Sequence, residues 1–279
     1  MLVALTRAVP QSITRCELTH LDRNPIDVEL AREQHQVYEA ALTDAGCRIE
    51  RLPAADDLSD SVFVEDTAIV VDEIAIITRP GAESRRPETT STAAALRNYR
   101  ELVFIEEPAI LDGGDVLRIG RKVFVGQSTR TDAEGFRQLS DALIPFGYSV
   151  QAVTPRGCLH LKSAVTAFSD DGVVINPEWV DASVFDGMQV ITVDPSEPSA
   201  ANVLRIGDVV LCAAAFPRTA QRLHDAGVNV RTVDVSELAK AEGALTCCSI
   251  VVASLRAGDG SREDAEAFQS LLRGLRVSA

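Results

Sequence analysis

No stretch of this 279-residue chain is apolar for long enough to cross a bilayer. Its opening residues, Met1 to Arg7, lack a basic segment followed by a long apolar one, and they read as a first strand rather than an export signal. Zinc-type cysteine spacing is missing as well. The six cysteines (Cys16, Cys47, Cys158, Cys212, Cys247 and Cys248) are irregularly spaced with no Cys-x-x-Cys pair, which predicts reduced thiols in the cytoplasm and no metal site. No phosphate cradle accompanies the strands. Gly113-Gly114 lacks the spacing of a dinucleotide fingerprint and reads as a tight strand entry, where glycine permits close backbone approach. Positive charge is in deficit: the formal net charge is −14, which opposes nucleic acid and anionic membranes as partners but suits a small cationic substrate.

What is present is a recurring pattern. An apolar strand, a short turn, a second apolar strand, a Pro- or Arg/Thr-rich loop and a helix follow one another from Phe63, Ile110, Leu159 and Asn202, with starts about 40–50 residues apart. The N-terminal strand, a long helix over Asp27–Ala45 and a returning C-terminal strand supply a fifth unit. One such unit cannot bury its own apolar face, so the five are expected to pack radially about a shared axis. An ordinary open α/β sheet is the alternative that alternating strands and helices allow. In a ring, equivalent strand ends converge, which would bring Asp66, Asp112, His160 and Cys247 together.

Those residues carry the chemistry. Cys247-Cys248 opens a short apolar strand, Ile250-Val251-Val252, and His160 is expected within a strand over Cys158–Ser163. Asp60, Glu65 and Asp66 form one acidic group, and Asp112 with Asp115 a second. Cysteine, histidine and carboxylates spread through a chain are what cysteine-dependent attack on a cationic carbon requires. Taken singly, each has a plainer reading: a core thiol, a hydrogen-bonded core histidine, a solvated acidic surface.

Together these segments resemble the dimethylarginine dimethylaminohydrolases of the guanidino-modifying (pentein) superfamily, from Met1 to about Val252. The resemblance rests on Asp60-x-x-Phe63-Val64-Glu65-Asp66, Ile77-Thr78-Arg79-Pro80-Gly81-Ala82-x-Ser84-Arg85-Arg86, Asp112-Gly113-Gly114-Asp115, Arg130-Thr131, Leu159-His160-Leu161-Lys162 and Thr246-Cys247-Cys248-Ser249. It implies an α/β fold, a five-bladed propeller of ββαβ repeats over residues 1–254. Residues 255–279 depart from the family and read as an extension of linker, Gly258-Asp259-Gly260-Ser261, and short amphipathic helix, Glu263–Leu272. The resemblance also implies hydrolysis of an Nω-methylated L-arginine to L-citrulline and an alkylamine, with no metal or organic cofactor. Cys247 would be the nucleophile, His160 the proton donor and later the base, and Asp112 the acid that orients it. Cys248 would be core and Asp115 a structural turn residue. Asp66 would hold the guanidinium, with Asp60 and Glu65 completing the anionic pocket and Phe63 lining the alkyl slot. Arg85 and Arg130 would receive the substrate carboxylate. Backbone near Leu18 and near the cysteine loop, at Ala241 and Glu242, would receive the α-amino group.

Relatives place Asp five residues before the cysteine, where this chain has Glu242. That difference leaves the choice among methylated arginines and arginine open. Arginine deimination or amidino transfer on the same fold, and a non-catalytic binding protein, remain the competing readings. A homodimer is compatible with the resemblance.

Overall fold

The computed structural model describes residues 1–254; the extension expected over 255–279 lies outside the described residues. The chain enters through β1 (Leu2–Thr6), follows helix α1 (Val28–Asp44) and returns as β2 (Cys47–Arg51). Asp27 caps α1 by accepting the N–H groups of Glu29 and Leu30, donors that a first helical turn leaves unpaired. Next come β3 (Ala68–Val70), β4 (Ile74–Ile77), α2 (Thr89–Leu96) and β5 (Glu101–Phe104). The same order recurs in β6 (Val116–Ile119), β7 (Lys122–Gly126), α3 (Ala133–Leu143) and β8 (Ser149–Val153). A one-turn helix, α4 (Leu161–Ala164), leads into β9 (Val165–Ala167), β10 (Gly172–Ile175), a 3₁₀ turn at Ala182–Phe185 and β11 (Gln189–Thr192). The chain completes its course with β12 (Leu204–Ile206), β13 (Val209–Ala213), α5 (Pro217–Asp225), β14 (Asn229–Val233), α6 (Ser236–Ala239) and β15 (Ile250–Ala253).

These strands make five separate three-stranded sheets on one plan. The middle strand runs antiparallel to the strand before it and parallel to the strand that returns after the helical connection. The fifth sheet is built from both ends of the chain: β15 pairs with β1, Leu2 opposite Ala253 and Leu5 opposite Ile250, and β1 pairs in parallel with β2. Middle strands such as Ile74-Ala75-Ile76-Ile77 are buried along their whole length, as strands covered on both faces must be.

The packing shows why the units close into a ring. Each of five apolar clusters draws on two consecutive sheets. Val116, Val125 and Leu139 of the second pack on Ile69 and Ile76 of the first, and Leu117 and Phe124 pack on Val165 and Val173 of the third. The series continues through Val174 with Val210 and through Leu211 with Ala4, then closes where Val3 and Ile250 meet Ala75 and Ile77. The fold is therefore a five-bladed α/β propeller, and the open sheet is set aside.

Local structure departs from expectation at the functional segments. His160 is not in a strand: it is the residue that caps α4. Cys247 and Cys248 do not open the last strand but sit in a 3₁₀ turn, Thr246–Cys248, before it. Residues 64–67, expected as strand, form another such turn, and Gly113–Asp115 a third. The alternation of apolar and polar residues there has a different cause. Val62, Val64 and Leu161 are buried because they press turns, not strands, onto the core.

Candidate active site

In four blades the turn ahead of the first strand carries one of the expected polar groups. Asp66 precedes β3, Asp112 precedes the turn into β6, His160 precedes α4 and β9, and Cys247 precedes β15. The fifth equivalent position, ahead of β12, is Asn202. Radial packing of the blades gathers these turns about the axis. Donor atoms of Asp66, Asp112 and His160 all lie within 4.8 Å of one another, and all three residues are buried. A divalent cation could bridge that spacing, but Asp66 is engaged by Arg85 and by the N–H of Gly114, and Asp112 by the N–H of Gly81.

Asp60, Phe63, Asp66, Arg85, Arg130, His160, Ala241, Glu242 and Cys247 line one small cavity, with about 20 Å³ in which the centre of a water molecule can lie. Three expected residues do not line it. Asp112 is fully buried behind His160, Leu18 packs against the core cluster of α1, and Glu65 faces a cavity of about 390 Å³ on the opposite side of its turn. A cavity of about 430 Å³ lies to the side, bordered by Trp179, Phe216 and Gly243. Both are roomier than the polar site, and neither is lined by His160 or Cys247.

The histidine is fixed at both ends. Its Nε2 lies 3.0 Å from Asp112 Oδ2. Asp112 is itself held by the N–H of Gly81 at 2.9 Å, and its own N–H donates to Thr131 Oγ1. Nδ1 stands 3.9 Å from Asp66 Oδ1. Gly114 makes this approach possible: a Cβ there would fall 2.5 Å from His160 Nδ1 and 2.8 Å from Asp66 Oδ1. Asp115 bonds the N–H of Leu161 and the hydroxyl of Ser128, a structural role that holds the cap of α4 in place.

Charges within the site are strongly coupled. Burial disfavours the imidazolium of His160, but Asp66, the bond to Asp112 and Asp115 outweigh it and raise the pKa to about 9. For Asp66, burial is likewise outweighed, by His160 and Arg85, so its carboxyl stays below the ordinary range. Cys247 is pushed up to about 12 by burial, with Glu65 and Asp66 adding to it. The resting arrangement is thus an imidazolium beside a neutral thiol.

Arg85 and Arg130 differ sharply. Arg85 is buried and its fork is full: Nη1 donates to Asp66 at 2.5 Å, Nε and Nη2 to Glu88 at 3.2 and 2.9 Å, and Nη2 also to the Phe63 carbonyl. Arg130 is half-buried, reaches only Thr19 Oγ1 among these partners, and pairs with no carboxylate among the described residues.

Beneath Cys247 runs a network that the sequence reading did not identify. Lys162 Nζ pairs with Glu65 at 2.6 Å, and the other oxygen of Glu65 accepts from the hydroxyl of Thr246 at 2.7 Å. Asn202 accepts the N–H of Thr246 and donates to that hydroxyl and to the Lys162 carbonyl. The position of Asn202, ahead of the first strand of its repeat, is the signal that could have found it. Tyr38 braces the same turn from α1, its hydroxyl bonding the Leu245 carbonyl at 2.8 Å and Ser249 Oγ at 2.7 Å. Cys248 is core, fully buried, with its thiol on the Ala244 carbonyl.

The arginine deiminase family model matches residues 20–202. The N(G),N(G)-dimethylarginine dimethylaminohydrolase of Streptomyces coelicolor is 42% identical over 249 residues, covering 88% of this chain and 95% of that protein. The enzyme of the same name from Pseudomonas aeruginosa is 34% identical, covering 80% of this chain and 89% of its own. Among solved structures, a cysteine-to-serine variant of the Pseudomonas aeruginosa enzyme with citrulline superposes with a TM-score of 0.85 at 33% identity. That superposition covers 89% of this chain and 98% of that one. A histidine-to-glycine variant of a dimethylarginine dimethylaminohydrolase, as an adduct with S-methyl-L-thiocitrulline, gives the same TM-score and identity over 90% of this chain and 100% of that one.

Proposed function

The chain belongs to the dimethylarginine dimethylaminohydrolase family, and from that premise we propose that it hydrolyses Nω-methylated L-arginine to L-citrulline and methylamine or dimethylamine. One observation carries the assignment of roles: His160 stands between Asp112 and Asp66 in the cavity that Cys247 also lines.

In this reading the substrate guanidinium takes its place against Asp66, where charge-assisted hydrogen bonds favour a cation. Cationic charge next to Cys247 lowers the cost of ionising its thiol, whose proton departs to solvent. The thiolate adds to the guanidinium carbon. His160, charged at rest, gives a proton to the nitrogen that leaves, the C–N bond breaks, and an S-alkylthiouronium remains on Cys247. The neutral imidazole then takes a proton from water, which displaces the sulfur and yields citrulline. Asp112 stabilises the charged imidazole and keeps Nδ1 turned to the reacting atoms.

Arg130, which has no acidic partner among the described residues, receives the substrate α-carboxylate through its planar fork. Arg85 is committed to Asp66 and Glu88, and serves as their standing counter-ion. The α-amino group is received by backbone beside Leu18 and at Ala241 and Glu242, and Phe63 lines the alkyl slot. All six cysteines are free thiols, which fits a reducing cytoplasmic setting. No helix among the described residues is long and apolar enough to cross a membrane. A homodimer belongs to the same reading, supported by exposed apolar residues on outer strands, Phe104 and Val190; native mass measurement decides it.

The deciding experiment is citrulline release from asymmetric dimethylarginine, monomethylarginine and arginine, each beside Cys247→Ser. Release from the methylated substrates alone, lost in the variant, is the expected result. Turnover of arginine alone would move the chain to the deiminases, and no turnover to a binding role.

A further inference from the structure

The lateral cavity takes no part in the reaction described above. It holds about 430 Å³, inside the range of about 300–1,000 Å³ that small-molecule pockets occupy. It lies where residues 157–159, 213–216 and 242–244 meet, and Trp179 and Phe216 give it an aromatic surface.

Its lining limits what can enter. No lysine or arginine borders it, so a carboxylate or phosphate would find no counter-ion. Its one carboxylate, Glu242, already accepts the backbone N–H groups of Thr19, His20 and Leu21, which leaves a cation little to gain. Cys158 is a neutral thiol, pushed up to about 12 chiefly by burial, and it donates to the His160 carbonyl. His20, the remaining ionisable group, is exposed. Burying an unpaired charge is costly, so these walls suit a neutral molecule.

One polar group points to what that molecule carries. Trp179 is the single tryptophan of the chain. Its backbone is fixed, the N–H donating to the Asn176 carbonyl at 3.1 Å and the carbonyl accepting from Arg156 at 2.8 Å. Its side chain packs against the cluster that holds Val180 and Phe185. The indole N–H, however, meets no acceptor among the described residues. Gly157 keeps that edge clear, since a Cβ there would stand 3.6 Å from Nε1. Other polar groups of the lining are engaged: Asn202 donates to Thr246 and to the Lys162 carbonyl, and Ser236 accepts from Gln34. An indole only donates, so its partner must bring an acceptor.

The wall toward the catalytic cavity is thin. Leu159 and Glu242 line both cavities. Gly243 faces the lateral one, and Phe63 of the alkyl slot lies against it: a Cβ on Gly243 would fall 2.2 Å from the Phe63 ring. A contact with so little slack passes any push on Gly243 to Phe63.

We propose that the lateral cavity is a second small-molecule site, taking a neutral, largely apolar ligand with one hydrogen-bond acceptor, and that its occupant narrows the alkyl slot through Gly243. Binding there is independent of the proposed reaction; only the effect on the slot rests on it.

The probe is Acdan, a neutral dimethylaminonaphthyl ketone, titrated into the full chain. Because Trp179 is the sole tryptophan, its emission should be quenched saturably while Acdan emission rises by energy transfer. Trp179→Phe, followed by the dye's own emission, should weaken binding about two- to tenfold, the worth of one hydrogen bond. Ala215→Phe and Ala239→Phe fill the cavity from two different segments, and each should weaken binding at least about fivefold through overpacking. Thermal melting shows which of them folds. Saturating Acdan should raise KM for the methylated substrate at least about fivefold, and citrulline in turn should weaken Acdan to a plateau, as two linked sites require. Competition without a plateau would place the dye in the catalytic cavity and overturn the second site. Tryptophan emission unchanged up to the solubility limit, or binding indifferent to all three variants, overturns it too. Binding with unchanged KM overturns the path through Gly243. If the parent turns over no guanidino substrate, the functional reading fails, and quenching with the filling variants still decides whether the site exists.

Discussion

His160 Nε2 lies 3.0 Å from Asp112 Oδ2, which leaves Nδ1 as the nitrogen facing the cavity, 3.9 Å from Asp66. Asp112 never meets the cavity. It acts by setting the direction and charge of the imidazole, so its loss should be felt in proton transfer and not in substrate binding.

Asp112→Asn should therefore lower turnover by about a hundredfold, the lower end of what a positioned acid or base contributes, with little change in KM. His160 in the parent should titrate near 9, since Asp66, Asp112 and Asp115 together overcome its burial. In the variant the midpoint should fall toward the ordinary 6.5. NMR titration of the His160 ring checks both values, and an unchanged midpoint contradicts the assignment.

The same shift makes stability depend on pH. A histidine whose folded pKa is raised contributes fully below its unfolded pKa of 6.5, and the contribution is lost as pH rises through about 9. Its size is on the order of 3 kcal/mol. Asp66, held low, has the opposite sign: its contribution is present above the ordinary carboxylate range and disappears as pH falls through its folded value. Urea denaturation of the parent and of His160→Gln should give a stability difference that narrows between pH 6.5 and 10.

The repeated unit was legible in the sequence because each blade pairs two apolar strands, and the start of α1 because Asp27 caps it; closure into a ring came from the family resemblance, since the repeats alone also allowed an open sheet. The turns that carry the chemistry were not legible. Leu159-His160-Leu161 alternates as a strand does, yet Leu161 is the first residue of α4, buried against Leu117 and Val165 of two blades. That contact depends on ring closure, which no local pattern encodes. For the same reason the full fork of Arg85 could not be foreseen: Glu88 is near in sequence, but Asp66 meets Arg85 only once the turn at Val64–Thr67 has folded onto the turn at Glu83–Glu88.

Cys247 should be unreactive in the free enzyme. Burial, Glu65 and Asp66 hold its thiol at about 12, so very little thiolate exists at neutral pH. Alkylation of Cys247 by iodoacetamide, followed by mass spectrometry, should keep accelerating through pH 9 without a plateau. A plateau below pH 8 would mean a resting thiolate. Cys247→Ser should abolish citrulline release, while Cys248→Ser retains most of it, because Cys248 belongs to the core.

Gly114→Ala tests how tightly the site is built. The added methyl would lie 2.5 Å from His160 Nδ1 and 2.8 Å from Asp66 Oδ1, so one or both must move. A displacement of about 1 Å in a reacting group is enough to lose about a hundredfold in rate. Turnover should fall by that order in a protein that still folds, as circular dichroism and thermal melting would show.

Arg85 and Arg130 should separate cleanly. Arg130→Ala removes a fork that has no acidic partner among the described residues, so KM should rise with kcat little changed and the melting temperature steady. Arg85→Ala leaves Asp66 and Glu88 buried without their counter-ion, and breaking such a pair costs about 3–5 kcal/mol. The stability loss should be large, and kcat should fall together with affinity, because Asp66 no longer holds its place beside His160. Arg85→Lys should recover only part of either, since one ammonium cannot reach Asp66, both oxygens of Glu88 and the Phe63 carbonyl at once. Two variants with equal KM effects and equal stability would show instead that Arg85 exchanges its partners for the substrate carboxylate, and that both arginines anchor the same end of the substrate.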